Sequence, residues 1–172
     1  MAFFKNSAEP ASNGAATHMT FRVGGQLYGI PIDMVSEVVP AAGLAPLKDW
    51  DDAVVGQLEL RGAALIVLDM GLRLTGRAVE TTSNCCILIV RRENARSGCL
   101  FGEPGALIHV PEDKAELSGC LVDRAEAALC IPQRLQITPE NTSLSSAVHG
   151  FPLYRCGAET ILLPPRELCF PR

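Results

Sequence analysis

Apolar and polar positions alternate over short distances along the chain, which is typical of a β-protein. Segments of about six residues are separated by turns that contain glycine or proline. The Gly24-Gly25 pair lies between two such segments and predicts a β-hairpin. The Arg61-Gly62 pair predicts a second hairpin turn. Strands are therefore expected at residues 21–23, 27–32, 34–39, 54–60, 63–68, 85–90, 118–122, 127–131, 149–154 and 160–163.

Helices are expected at two short segments. Asp69 can cap a helical turn that ends at Gly76, and this turn would form the junction between two halves of the chain. A second short helix is expected at residues 165–169. Residues 63–68 are apolar throughout, so this strand is expected to be buried on both faces. Many short strands separated by turns favour small barrels, because a closed barrel leaves no strand edge exposed.

The composition excludes several classes of protein. The 15 glycines and 12 prolines among 172 residues interrupt long helices, so coiled coils and helix bundles are excluded. A hydrophobic fraction of 48% with 20% charged residues is that of a globular chain. Fifteen basic and nineteen acidic residues give a net charge of -4, and no basic stripe is available to neutralise nucleic-acid phosphates.

The remaining bulk features of the sequence indicate a cytoplasmic protein. The longest apolar runs have six residues, whereas a membrane span needs about 20. Residues 1–19 are expected to form a flexible tail, because they lack the apolar core of a signal peptide. Seven cysteines without a secretory segment fit a reducing compartment. The folded domain is therefore expected at residues 20–170, without direct insertion into a membrane.

Residue types suited to catalysis or metal binding do not form a recognisable constellation. Cys85 and Cys86 are adjacent on a predicted strand, so their side chains are expected on opposite faces. No pair of cysteines or histidines has the spacing of a zinc site. His18 in the expected tail, His109 and His149 have no evident thiol partner. We therefore expect no catalytic residue, no metal and no cofactor, and a thiol or zinc enzyme is the least favoured alternative.

A short repeat lies in the second half of the chain. Residues 97–100 and 118–121 both have the sequence Ser-Gly-Cys-Leu, 21 positions apart, and single alanine and proline matches follow at the same offset. Two explanations are open: a duplicated hairpin, or two similar strand-turn-strand units with the same packing needs.

Several segments, taken in order, resemble the CheW family of chemotaxis coupling proteins. Residues 21–31, with Tyr28-Gly29-Ile30-Pro31, are similar to the family's opening hairpin. Residues 35–38 (Val-Ser-Glu-Val) look like its V-x-E-V motif, residues 55–62 resemble its segment ending in L-R-G, and residues 67–70 resemble V-x-D-L. In the second half, residues 119–123 are similar to its G-l-l-V-D motif, with further matches at 131–132 and 137–139. The resemblance covers about residues 20–170.

The resemblance implies a mainly β-fold of two SH3-like five-stranded β-barrels, side by side, without a catalytic site. It also implies a signal-transduction adaptor that bridges the cytoplasmic helical tip of methyl-accepting chemotaxis receptors and a CheA-type histidine kinase. The family's receptor-binding positions correspond in this sequence to Val35, Glu37, Gly56, Arg61 and Gly62.

Each of these five residues has a physical role in the implied receptor-binding surface. Val35 would supply apolar contact area, and the two glycines would permit close approach of the backbone. Arg61 offers several N–H donors in a fixed fork. Glu37 would either orient Arg61 or pair with a cation of the receptor. A well-solvated hairpin turn is the alternative interpretation of Arg61-Gly62.

Two departures from the family pattern concern function. Glu59 stands where the family has a polar asparagine, which adds negative charge beside the implied contact surface. Residues 91–118 form an unusual insertion, expected in the second barrel, which in the family contributes to kinase contacts. The alternative function is therefore a diverged CheW-like scaffold in another signalling system, such as surface motility or second-messenger control.

Overall fold

The strands expected from the sequence are present in the computed structural model, which describes residues 15–48, 50, 52–92, 117–137 and 150–171. Most observed bounds agree with the expected ones within a few residues. Within these ranges the strands are β1 (Ala15–Val23), β2 (Gln26–Pro31), β3 (Val35–Pro40), β4 (Val54–Leu60), β5 (Ala63–Asp69), β6 (Cys86–Arg91), β7 (Leu117–Val122), β8 (Arg124–Pro132), β9 (Gln136–Ile137), β10 (Leu153–Cys156) and β11 (Glu159–Leu162).

The helix expected after Asp69 is confirmed as α1 (Met70–Thr75). The Asp69 carboxylate accepts a hydrogen bond from the Leu72 amide at 3.1 Å, and Gly76 ends the helix in the left-handed conformation at φ 72°. The same buried carboxylate accepts from the Val79 amide at 3.1 Å, which fixes the segment after the helix. Single 3₁₀ turns occur at Ile32–Met34, Gln133–Leu135 and Arg166–Cys169, the last at the position of the second expected helix.

The strands form two sheets. One has the order β8-β1-β2-β11-β10-β9 and the other the order β3-β6-β7-β5-β4. Neighbouring strands are antiparallel except for β11 beside β2 and β5 beside β7. The expected mainly β-fold of two SH3-like barrels is confirmed. One sheet has a sixth strand rather than five, because the two-residue β9 adds to five longer strands.

The two barrels do not correspond to two halves of the chain, but α1 does lie at their junction, because Met70 and Leu74 are buried in the core that residues of both sheets share. The N-terminal hairpin β1–β2 belongs to the same sheet as β8–β11, while β3–β7 form the other sheet. The connection between β6 and β7, which contains the expected insertion, therefore begins and ends in the five-stranded sheet. The C-terminal strands do not form a barrel alone, because β11 pairs in parallel with β2 and the N-terminal hairpin therefore belongs to the same sheet as β8–β11.

One core lies between the two sheets, and each sheet has a further apolar cluster on its other face. The strands β6 and β7 serve two of these cores, because alternate side chains of a strand point to opposite faces. Leu88 and Val90 join the shared core, whereas Ile87 and Ile89 join the core of the five-stranded sheet. These four side chains are completely buried, so the two barrels pack as one body.

Cys85, immediately before β6, and Cys86, its first residue, follow the same alternation. Cys85 is buried in the core of the five-stranded sheet, and Cys86 packs against the shared core. The predicted placement of the two thiols on opposite faces is confirmed.

The strand β5 is less buried than its apolar sequence predicts. Leu65, Val67 and Leu68 are buried, but Ala64 is exposed and Ile66 is half-buried. The parallel neighbour β7 pairs with β5 at its last three residues, Val67 to Asp69. The first part of β5 therefore has one face that the described residues do not cover.

The N-terminal boundary at residue 20 was wrong for residues 15–19, which form the start of β1. His18 is therefore a strand residue, with 8% of its surface exposed, and not part of a tail. Its Nδ1 lies 3.0 Å from the Ala16 carbonyl oxygen. Burial lowers the pKa of His18 below its ordinary value of 6.5, with Arg166 acting in the same direction and the Ala16 hydrogen bond and Asp33 opposing the shift.

Several sequence features lie outside the described residues. These are most of the expected tail, His109, His149, the first copy of the repeat at residues 97–100 and nearly all of the segment 91–118. The second copy of the repeat lies in β7.

We expect burial of neutral His18 to make the fold sensitive to acid. Because the folded chain binds a proton at His18 less readily than the unfolded chain, its contribution to stability is present above about pH 6.5 and is lost as the pH falls further. In urea denaturation at about pH 7 and about pH 5, wild type should lose more unfolding free energy than His18→Asn, which keeps a donor for the Ala16 carbonyl. Equal losses in the two proteins would contradict this account.

Candidate functional site

The five residues expected at the receptor-binding surface all belong to the five-stranded sheet. Val35 and Glu37 lie on β3, Gly56 lies on β4, and Arg61-Gly62 forms the turn between β4 and β5. The strands β3 and β4 are the two edges of this sheet. Residues from the two edges can meet because the sheet curls into a barrel.

The Arg61-Gly62 turn has an unusual backbone for its sequence. Leu60 pairs with Ala63, so the hairpin loop has two residues, and their φ angles are 50° and 76°. Two positive φ angles define a type I′ turn, which favours asparagine or glycine at the first position. Among the described residues, Arg61 is the one non-glycine residue with positive φ. A positive φ is unfavourable for an arginine, so the turn is locally strained at this residue.

The Arg61 side chain forms a bidentate ion pair with the carboxylate of Glu37. Its Nη1 and Nη2 atoms donate to Glu37 Oε1 at 2.5 Å and Oε2 at 3.0 Å. The arginine side chain is 72% exposed and the glutamate side chain 25% exposed. The hydrogen bonds that Arg61 donates to the Glu37 carboxylate raise the pKa of Arg61 above its usual value. Of the two roles expected for Glu37, the structure shows the orientation of Arg61.

A β-bulge on β3 directs Glu37 towards this pair. Val35 pairs with Val90 and Glu37 with Ile89, so Ser36 is an extra residue on β3. Because of the extra residue, Val35 and Glu37 point to opposite faces of the strand. Val35 packs, half-buried, against the core between the sheets, whereas Glu37 binds Arg61. The sequence motif alone would place the two side chains on the same face.

Gly56 lies inside the barrel and permits an internal contact that the sequence did not reveal. A Cβ atom at residue 56 would lie 2.5 Å from the Ala45 carbonyl oxygen and 3.1 Å from the Ala45 carbonyl carbon. Ala45 belongs to the connection between β3 and β4, and its amide and carbonyl exchange hydrogen bonds of 2.9 and 2.8 Å with Gln57. Gly56 therefore brings the connection against β4 and helps to close the sheet.

Three of the described cysteine thiols, those of Cys86, Cys120 and Cys156, are poorly suited to nucleophilic chemistry. Burial raises the pKa of the Cys86 and Cys156 thiols, and a hydrogen bond with Cys169 together with burial raises that of Cys120. A thiol that stays protonated at neutral pH is a weak nucleophile. In the part of the chain that the structure describes, no cluster of His, Cys, Asp and Glu could hold a metal ion, and no helix is long and apolar enough to span a membrane.

Two joined β-barrels with few helices, and an ion pair at the edge of one sheet, define a small β-barrel domain. The chain belongs to the CheW family: a family model of the CheW-like domain matches residues 17–134. CheW-like proteins are scaffolds without catalytic activity, and this chain is accordingly an adaptor and not an enzyme.

Known relatives agree with the family assignment. The chain is 28% identical over 107 residues to the chemotaxis protein CheW of Rhizobium meliloti (strain 1021), a match that covers 62% of this chain and 69% of the relative. Its fold is similar to the crystal structure of the scaffolding protein TtCheW from Thermoanaerobacter tengcongensis, with a TM-score of 0.65. That match has 17% sequence identity and covers 90% of this chain and 92% of the other.

We expect Gly56→Ala to weaken the closure of the five-stranded sheet. The added methyl group would push away the Ala45 carbonyl and strain its two hydrogen bonds with Gln57. Overpacking of this kind costs roughly 1–3 kcal/mol of unfolding free energy, and the Gln57 amide should exchange faster with solvent. Chemical denaturation and hydrogen exchange measure the two effects.

Glu59→Ala, an exposed position on the same strand, is the matched control, and we expect it to change stability by less than about 0.5 kcal/mol. Wild-type stability and slow Gln57 exchange in Gly56→Ala would show that the Ala45 contact does not hold the sheet closed.

Proposed function

We propose that this chain couples methyl-accepting chemotaxis receptors to a CheA-type histidine kinase in the cytoplasm. The observation that carries the proposal is the Glu37–Arg61 pair, which holds an exposed guanidinium in one orientation at the edge of a CheW-like barrel. The curated relative is named a chemotaxis protein, which supports the same role.

The receptor part of the proposal assigns different roles to the five site residues. Arg61 and Gly62 form the exposed turn and would contact the receptor directly. Glu37 would act through Arg61 by fixing its orientation. Val35 would contribute the part of its side chain that the shared core leaves uncovered, and buried Gly56 would act indirectly by holding the sheet closed.

A helical hairpin is a suitable partner for an oriented arginine. The last carbonyl groups of a helix have no partner within that helix and accept hydrogen bonds from arginine side chains. The N–H groups of a guanidinium lie in one plane, so an arginine held by Glu37 can donate to such carbonyls or to a carboxylate without further ordering. This chemistry supports the tip of a receptor's cytoplasmic hairpin as the ligand.

The kinase part of the proposal rests on the family and has no residue assigned to it. Co-purification from the native cell, followed by identification of the bound kinase, tests it. Recovery of a CheA-type kinase supports the proposal. Recovery of a different signalling assembly without such a kinase would favour a diverged scaffold instead.

We expect Arg61→Asn to separate receptor binding from folding. Asparagine is favoured at the first position of a type I′ turn, so the thermal midpoint of unfolding should stay at or above that of wild type. The loss of the oriented guanidinium should weaken binding of a purified receptor tip about tenfold or more. Thermal denaturation and biolayer interferometry with an immobilised tip measure the two effects.

Arg155→Asn removes the same charge from an exposed position on β10 in the other sheet and should leave the affinity unchanged. Equal affinity of wild type and Arg61→Asn, with the fold retained, would contradict the assignment of this site. Failure of every receptor tip to bind wild type would contradict the proposed function itself.

A further inference from the structure

The outward face of the β4–β5 hairpin adjoins the Arg61 turn and is almost free of charge. In the antiparallel register Gln57 lies opposite Ile66, and Glu59 lies opposite Ala64. Ala64 and Glu59 are exposed, and Ile66 and Gln57 are half-buried. Val55, at the other end of β4, is 36% exposed. This surface, which we call the hairpin face, thus consists of small and apolar side chains, one amide and one carboxylate.

Glu59 is a charged residue of this region without a charged partner among the described residues. Its carboxylate has no hydrogen bond and no ion pair among the residues that the structure describes, whereas Glu37 and Arg61 neutralise each other. Glu37, Arg61 and Glu59, counted by themselves, carry a net charge of one negative unit. Among the described residues of the hairpin face, Glu59 is therefore the charged side chain.

We propose that Glu59 selects among receptor tips by favouring those that carry a lysine or arginine side chain against the hairpin face. This inference rests on the proposed receptor site and adds the charge of the partner to it. A tip with a glutamate or aspartate at the contacting position would be disfavoured, because its carboxylate would approach that of Glu59. No described residue of the hairpin face supplies a cation to separate the two carboxylates.

Screening by salt limits the influence of the Glu59 charge on receptor affinity to side chains in direct contact with it. The Debye length is about 8 Å at physiological ionic strength, so more distant charges of the receptor are screened. Glu59 lies two positions before Arg61 on the same hairpin, so a ligand that contacts the turn lies beside it. Exposed pairs contribute modestly to affinity, and the selection is therefore a preference between similar tips and not a condition for binding.

The test uses recombinant cytoplasmic hairpin tips of the methyl-accepting receptors encoded in the same genome, bound to wild type, Glu59→Gln and Glu59→Lys. For tips with a basic side chain at the contact, we expect a loss of about two- to fivefold with glutamine and about tenfold with lysine. The losses should shrink in about 0.5 M salt. Glu167→Lys, an exposed position on the C-terminal 3₁₀ turn, makes the same change in net charge and should bind like wild type.

A tip in which the contacting lysine or arginine is changed to glutamate provides the complementary arm. It should bind wild type more weakly than the parent tip and recover affinity with Glu59→Lys, a swap that a merely structural role of Glu59 would not produce. Equal binding of all tips by wild type, Glu59→Gln and Glu59→Lys at low salt would overturn the inference and leave the receptor site intact. The absence of binding to wild type by any tip would instead overturn the proposed function.

Discussion

The strands β6 and β7 are the part of the structure on which the rest depends, because their alternate side chains are buried in two different cores. Ile87 and Ile89 fill the five-stranded barrel, while Leu88 and Val90 fill the space between the two sheets. A strand buried on both faces cannot shift its register without moving apolar side chains out of both cores. The edges of the sheet, β3 and β4, are consequently attached to a rigid centre, β3 directly through β6 and β4 through β5.

The candidate site is formed where those two edges meet. In the interior of the barrel, the backbone of Ala45 pairs with that of Gln57 on β4. Gly56 has no side chain and so makes room for that pairing. At the surface of the barrel, an ion pair between Glu37 and Arg61 connects β3 with the turn that follows β4. Exposed ion pairs add little to the stability of a fold, whereas burial and backbone pairing add much more. The ion pair is therefore better explained by the orientation that it gives to Arg61 than by closure of the barrel.

Local features of the sequence predicted local features of the structure. The two-residue turns, the capped helix after Asp69 and the opposite faces of Cys85 and Cys86 depend on neighbouring residues and could be predicted. The distribution of strands between the two sheets could not be predicted from the sequence, because β2 pairs with β11 over a separation of more than a hundred residues. The extra residue Ser36 on β3 also has no sequence signal, and it decides that Val35 and Glu37 point apart. Burial of His18 follows from the pairing of β1 with β2 and β8, which the sequence does not identify.

The central claim is that Glu37 acts in receptor binding through Arg61 as one unit. A double-mutant cycle tests it most directly, with the affinities of wild type, Glu37→Gln, Arg61→Asn and the double variant for one purified receptor tip. The account predicts that the double variant binds about as weakly as Arg61→Asn alone, because Glu37 has no further effect once the guanidinium is gone. If the two single losses simply add in the double variant, the two residues act independently, which contradicts the account.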